Sequence, residues 1–116
     1  MNDSRTIPAS TRESIGEILR EYRQGLKKIF RDQLIEVILY GSYARGDQHE
    51  YSDIDVLCIL REPFGYVEAI KKTSRLTAEL NLKHDVLLSR AFASENDFRT
   101  RQLPFFMNVR KEGIAF

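Results

Sequence analysis

Asp53 and Asp55 stand two residues apart at the start of the run SDIDVLCILR (52–61). On a strand, residues i and i+2 share a face. The two carboxylates therefore project together with Leu57, while Ile54, Val56 and Cys58 project the other way. Two carboxylates this close resist ionising together, so either one takes up a proton or a cation lies between them. Hard oxygen donors suit Mg²⁺ or Mn²⁺. Mg²⁺ commonly takes one or two protein carboxylates and completes its shell with water and phosphate oxygens. The pair reads as half of a site for a metal-bound triphosphate.

Gly41 and Ser42 end the apolar run before it, LIEVILY (34–40). A glycine between a strand end and a helix start lets backbone N–H groups approach an anion, and the Ser42 hydroxyl adds a donor. Arg45, three residues on, falls on the same side of a short helix as Ser42 and can support phosphates or the helix itself. A further carboxylate, Asp85 in KHDVLLS (83–89), would reach the same pocket if that run pairs beside the Asp53–Asp55 strand. It could then complete a metal site or accept a proton from an attacking hydroxyl. Together these parts suit nucleotidyl transfer, where positioning and charge neutralisation supply most of the catalysis. Each part alone has a plainer reading. Gly-Ser pairs are usually turns. Paired acids can be the solvated start of an edge strand. Asp85 can be a strand-entry charge or ion-pair partner, and Arg45 a helix-capping cation. The weight lies in the cradle ending one buried strand and the acid pair beginning the next.

The elements that must hold these residues follow from periodicity. Ser10-Thr11-Arg12-Glu13 has capping-box spacing, and Ile15, Ile18, Leu19, Tyr22, Leu26, Ile29 and Phe30 recur at helical intervals, predicting a helix over 10–30 with Gly25 as a small cost within it. The 34–40 run is apolar on both faces, as in a buried strand. A short helix from Ser42 stops at Gly46, a loop follows, and 52–61 forms a second strand, ended by a turn at Pro63 and Gly65. Tyr66, Val67, Ile70, Leu76 and Leu80 predict a helix over 65–81, and 83–89 a third strand. Two helical pieces complete the chain, the second with Pro104 near its start and Gly113 past its end. The order α-β-α-β-α-β-α-α gives an α/β or α+β sandwich.

The totals set limits. With 116 residues the chain reads as one domain over 1–116, with about the first nine residues frayed. Eighteen basic against 17 acidic residues give a net charge of +1, without the basic excess of a general nucleic-acid binder, so no direct nucleic-acid binding is expected. There is no apolar run long enough to span a membrane, and the polar start lacks the h-region of a secretory signal. A single cysteine, Cys58, excludes a disulfide framework within the chain and fits a reducing cytoplasm; inside a strand it reads as a small buried hydrophobe. His49 reads as an exposed loop residue that could touch a nucleotide. His84 alternates to the face opposite Asp85 and is not expected to be a ligand. The basic face Arg20, Arg23, Lys27, Lys28 and Arg31 reads as solvated, or as a surface for an acidic partner.

Gly41-Ser42, then ten residues, then Asp53-Ile54-Asp55 resembles the G-S-x10-D-x-D signature of the polymerase-β-like nucleotidyltransferase superfamily. The string GSYARGDQHEYSDIDVLCIL is similar to its minimal branch, and the NVRKEGI ending is also similar to theirs. The resemblance implies the family's palm, a small mixed sheet of three to four strands packed by helices. By position it implies Asp53, Asp55 and Asp85 as metal ligands, with Asp85 a ligand or general base, and Gly41, Ser42 and Arg45 as nucleotide-binding residues. It implies Mg²⁺, or Mn²⁺, as cofactor and ATP as substrate.

The resemblance also implies a partner. Minimal nucleotidyltransferases are commonly paired with a helical HEPN ribonuclease toxin, some silencing it by moving AMP onto a tyrosine. A toxin partner in a hetero-oligomer is thus expected. Only 31 residues follow Asp85 (86–116), leaving little room for an acceptor pocket, so the acceptor is expected from another chain. The cluster Leu103, Pro104, Phe105, Phe106 and Met107 reads either as core or as a partner surface rich in aromatic residues and Met. Two alternatives stand beside this reading: neutralisation of the toxin by stoichiometric binding alone, and nucleotidyl transfer to a small molecule.

Overall fold

The computed structural model describes residues 12–49 and 52–116. The chain forms α1 (Arg12–Phe30), a 3₁₀ turn (Arg31–Gln33), β1 (Leu34–Tyr40), α2 (Ser42–Arg45), β2 (Ile54–Leu60), α3 (Tyr66–His84), β3 (Leu88–Ser94), α4 (Glu95–Thr100), α5 (Pro104–Glu112) and β4 (Ile114–Ala115). The expected capping box at 10–13 lies outside the described residues, apart from the start of α1. The strands make one mixed sheet in the order β3-β2-β1-β4. β1 runs antiparallel to β2 and β4, and β2 parallel to β3. The mixed α/β architecture expected from the sequence is the observed one, with four strands.

Both sheet faces are covered, which is why β1 and β2 read as continuous apolar runs. Val37, Leu39, Ile54, Val56, Cys58, Leu60, Leu88 and Phe92 face α1, whose Ile15, Ile18, Leu19, Tyr22, Leu26 and Phe30 are all buried at the predicted spacing. Ile38, Leu57, Ile59 and Ala93 face the other way, under Phe106 and Val109 of α5 and Phe98 of α4. Each such side chain, fully buried, contributes about 1.5–3 kcal/mol.

The interface between α1 and α3 is less apolar than periodicity predicted. Tyr66 and Val67 are exposed, and the buried stripe of α3 is Ala69, Thr73, Thr77 and Leu80. Its threonines are matched by hydrogen-bond partners: Tyr22 and Thr77 share a buried hydroxyl hydrogen bond of 2.7 Å, and half-buried Arg90 of β3 donates from Nε to Thr73 Oγ1 at 2.7 Å. Gly25 does more than tolerate a helix: a Cβ there would lie 2.6 Å from both Leu76 methyls.

Two expectations on the third strand are corrected. Residues 83–87 are not strand. α3 continues to His84 because Glu21 of α1 pairs with Lys83 Nζ at 2.7 Å and His84 Nε2 at 2.9 Å, pinning the last turn. Asp85 then caps the helix in the left-handed region (φ 54), which short polar side chains tolerate. The segment 88–94, expected to begin a helix after 89, is strand instead, held by parallel pairing with β2 along its whole length. That pairing is non-local and leaves little trace in local sequence.

The two residues of β4, not anticipated, attach the end of the chain to β1, with Phe116 donating its N–H to the Val37 carbonyl at 2.8 Å. Gly113 permits the close turn. Its N–H closes α5 on the Val109 carbonyl at 2.8 Å, and a Cβ there would lie 2.5 Å from both that oxygen and Ile38 Cγ2. Gly113→Ala is expected to lower unfolding free energy by about 1–3 kcal/mol through overpacking, with loss of hydrogen-exchange protection at Phe116. Urea denaturation and exchange NMR check both.

Candidate active site

The site is assembled where β1 ends and β2 begins. β1 hands over to α2 through Gly41, whose φ of 77° lies in the region that favours glycine. Space demands glycine there as well: a Cβ at Gly41 would lie 2.3 Å from Asp55 Oδ2. The Gly41 carbonyl accepts the N–H groups of Ala44 and Arg45, each at 3.1 Å, and Gly46 closes the turn in the left-handed region, as its place in the sequence predicted. Buried Tyr43 and Ala44 anchor α2 in the main core, leaving Ser42 and Arg45 toward solvent.

Ser42, Arg45, Asp47, His49, Ser52, Asp53 and Asp55 line one groove of about 570 Å³. The structure thus brings together the two halves of the sequence motif. Asp53 precedes β2 and is exposed; Asp55, within β2, is half-buried between Tyr40 of β1 and Ser89 of β3 in the sheet register. Burial pushes the Asp55 carboxyl above the ordinary carboxylate range, repulsion from Asp53 adds to it, and Arg45 partly offsets both. Tyr40, on the same face, is pushed up to about 12 by burial and then by Asp55. Arg45 is held by Asp47 (Nε to Oδ2, 3.2 Å) and by Glu112 of α5 (NH1 to Oε2, 3.0 Å), which raise its already high pKa. Three carboxylates against one guanidinium leave the groove short of positive charge. Two hard oxygen donors on one side of a strand start, one of them raised by burial and then by its neighbour, fit a hard divalent cation.

Asp85 is not part of this assembly. It sits at the exposed end of α3, ahead of β3, and is absent from the groove lining; the residue beside Asp55 on β3 is Ser89. Among the described residues no three His, Cys, Asp or Glu side chains gather as a metal-binding group. His84, read as a strand residue, lies in the last turn of α3 on Glu21. Sequence reasoning missed Asp47 and Ser52 as groove residues, although both lie between the two motif halves, which confines them near the site. It also missed Glu112, for which local sequence holds no signal.

A groove that joins Ser42 and Arg45 to paired carboxylates at the start of β2, on a mixed sheet backed by two long helices, suits nucleotidyl transfer. The nucleotidyltransferase domain family matches residues 19–104, and the chain belongs to this family. It is 40% identical over 73 residues to a candidate protein adenylyltransferase of Methanocaldococcus jannaschii, covering 63% of this chain and 73% of that one. A second candidate protein adenylyltransferase of that organism is 36% identical over 96 residues, 82% of this chain and 90% of the relative. Among solved structures, the fold is similar to a candidate nucleotidyltransferase of Sulfolobus solfataricus (TM-score 0.59, 20% identity, 100% of this chain and 88% of that one). It is also similar to a chain of a toxin–antitoxin crystallised with AMP-PNP (TM-score 0.57, 20% identity, 82% and 69%). The protein is a nucleotidyltransferase.

The raised Asp55 carboxyl has a consequence for stability. Its folded-state pKa exceeds its unfolded one, so the folded protein binds the proton more tightly and stability falls as pH rises through the window between them. Asp55→Asn is therefore expected to raise Tm at neutral pH, with the gain shrinking as pH drops through the carboxylate range. Thermal unfolding of both proteins across pH checks the sign.

Proposed function

We propose that this protein transfers AMP from ATP, with Mg²⁺, to a tyrosine hydroxyl of a partner protein, and that the partner is a HEPN-type ribonuclease toxin which the transfer neutralises. The observation that carries the reading is the single groove shared by the Gly41-Ser42 turn and the Asp53–Asp55 pair. The protein adenylyltransferase names of the relatives support a protein acceptor. The toxin–antitoxin neighbours, one bearing AMP-PNP, support a toxin partner and an adenine nucleotide. At the start of α5, Phe106 is buried while Leu103, just before the helix, Phe105 and Met107 are 44, 40 and 48% exposed, so the apolar cluster is partly core and partly surface open to a partner. Mg–ATP and a reducing environment for the buried Cys58 thiol both suit a cytoplasmic location; no helix among the described residues is long and apolar enough to cross a membrane.

In the proposed step the acceptor oxygen forms a bond to the α-phosphorus, the bond to the bridging oxygen of the β-phosphate breaks, and pyrophosphate leaves with the electron pair. The acceptor proton passes to a groove carboxylate or to solvent. Asp53 and Asp55 would hold the cation, which when bound neutralises phosphate charge. Gly41 and Ser42 would lie against the phosphates, the glycine because a side chain there has no room, the serine as a hydroxyl donor. Arg45 would add a charge-assisted hydrogen bond.

Labelled ATP, Mg²⁺ and the partner toxin should yield labelled toxin. Asp53→Ala or Asp55→Ala should cut the rate by about a hundredfold or more, the scale of losing a charge-stabilising group; unchanged labelling would sink the mechanism. Asp85→Asn, which preserves the left-handed cap, should stay within about twofold, as surface substitutions do. A loss as large as that from Asp53→Ala would return Asp85 to the site.

A second reading, neutralisation by stoichiometric binding, draws on two features: among the described residues no third acid gathers with Asp53 and Asp55 as a metal-binding group, and α5 exposes apolar side chains. It predicts that the Asp53→Ala/Asp55→Ala double variant still rescues toxin-expressing cells at normal expression. Catalysis predicts that it does not.

A further inference from the structure

We propose that Glu112, in the last turn of α5, positions the Arg45 guanidinium for the triphosphate of the nucleotide. It is a positioning residue, and the inference rests on the transferase reading above.

Arg45 is gripped from two sides. Asp47, two residues along the chain, accepts from Nε at 3.2 Å, and Glu112, 67 residues away, accepts from NH1 at 3.0 Å. The Asp47 side chain is 61% exposed and follows its own loop; the Glu112 side chain is 29% exposed and better shielded from solvent. A pair this open to water does little for stability. Its effect is on direction: two ionic bonds on Nε and NH1 fix the plane of the guanidinium. They use two of its five N–H donors and leave the rest of the fork for an anion.

Glu112 can do this because it is itself immobilised against the strand that carries the phosphate turn. The next residue, Gly113, lies flush on Ile38. Ile114 and Ala115 pair with Leu39 and Ile38, and Phe116 bonds to Val37. Two turns earlier on the same helix face, at i−7, Phe105 packs edge-to-face on Tyr40, with ring centroids 5.3 Å apart. Helix α5 is thus tied beside β1 at both its ends, and β1 continues into Gly41-Ser42. Glu112, Arg45 and the turn share one rigid frame.

The groove supplies a reason for the grip. Asp53 and Asp55 line the same space, and Arg45 already attracts the Asp55 charge. A guanidinium released by Glu112 keeps only exposed Asp47, and Asp53 and Asp55 of the same groove become the competing acceptors for its freed N–H groups. An ion pair there would occupy the oxygens needed by a cation and turn the guanidinium away from the phosphates. Glu112, which is outside the groove lining, holds the arginine from α5, so cation-binding and phosphate-binding charges stay apart.

The test uses the full chain and calorimetric titration with Mg²⁺ and a non-hydrolysable ATP analogue. Glu112→Gln and Glu112→Ala should each weaken binding about two- to fivefold, the range of a solvent-exposed ion pair, with Glu112→Asp restoring part of the loss. Arg45→Ala should weaken it on the order of tenfold. In the Arg45→Ala background, Glu112→Ala should add nothing, since its effect passes through that guanidinium. Steady-state transfer should show the nucleotide KM rising with kcat little changed. Independently of any nucleotide, the Arg45 Nη1–H resonance should be protected from solvent exchange in the wild type and lose protection in Glu112→Gln, while the Nε–H held by Asp47 changes less. Wild-type affinity in folded Glu112→Gln and Glu112→Ala, or full additivity in the double variant, overturns the inference and leaves the transferase reading intact. Failure of the wild type to bind the Mg²⁺–analogue overturns both.

Discussion

The carboxylate of Asp55 is the group around which the rest of the molecule is arranged. It is half-buried, it faces the like charge of Asp53 two residues away, and the backbone of Gly41 presses on it so closely that no side chain fits between. Such a group costs stability. The cost is carried by the strand it stands on: Ile54, Val56, Leu57, Cys58, Ile59 and Leu60 are buried almost without remainder, alternately against the α1 side and under α5. β2 is thereby fixed from both faces and from both neighbouring strands, and its start can carry an unfavourable charge pair. An unfavourable charge pair kept at a candidate site is the usual trade between activity and stability.

The two sides of the sheet differ in kind. On one side α1 and α3 form a closed layer whose interface is partly polar, with Tyr22 on Thr77 and Arg90 on Thr73. Buried hydrogen bonds of this sort add little net stability each, yet leaving one partner unmatched is costly, so they hold α3 in one register on α1 and β3. On the other side α4 and α5 cover only the part of the face beyond Asp55, and the groove occupies the remainder. The same helix that completes the second core layer thus also reaches the site's surroundings, through Phe105 on Tyr40 and Glu112 on Arg45.

How much of this could be read from sequence depends on whether the controlling interactions are local. The strand β1, the turn at Gly41, the short helix stopped by Gly46, and the pairing of Asp53 with Asp55 on one face follow from alternation and from the backbone freedom of glycine, which act over two to four residues. The register of α1 was legible because its buried face is wholly apolar. The stripe of α3 was not, because Thr73 and Thr77 look like surface residues until Tyr22 and Arg90 are placed against them. The strand at 88–94 was misplaced because parallel pairing with β2 is made at a distance, and LSRAFAS carries only weak alternation of its own.

By itself the sequence determined the class of chemistry: a glycine–serine turn and two acids, each beside a buried strand, with the number of residues between them that an antiparallel return can span. Only the tertiary structure decided which further groups share that space. It drew Asp47, Ser52 and, through Arg45, Glu112 toward the groove, and it left Asp85 at the end of α3. The physical reason is the same throughout. Backbone conformation and face alternation are set by neighbours along the chain. The position of a helix end or a C-terminal strand is set by packing and hydrogen bonds between residues sixty or more positions apart, as between Glu21 and His84 or Arg45 and Glu112.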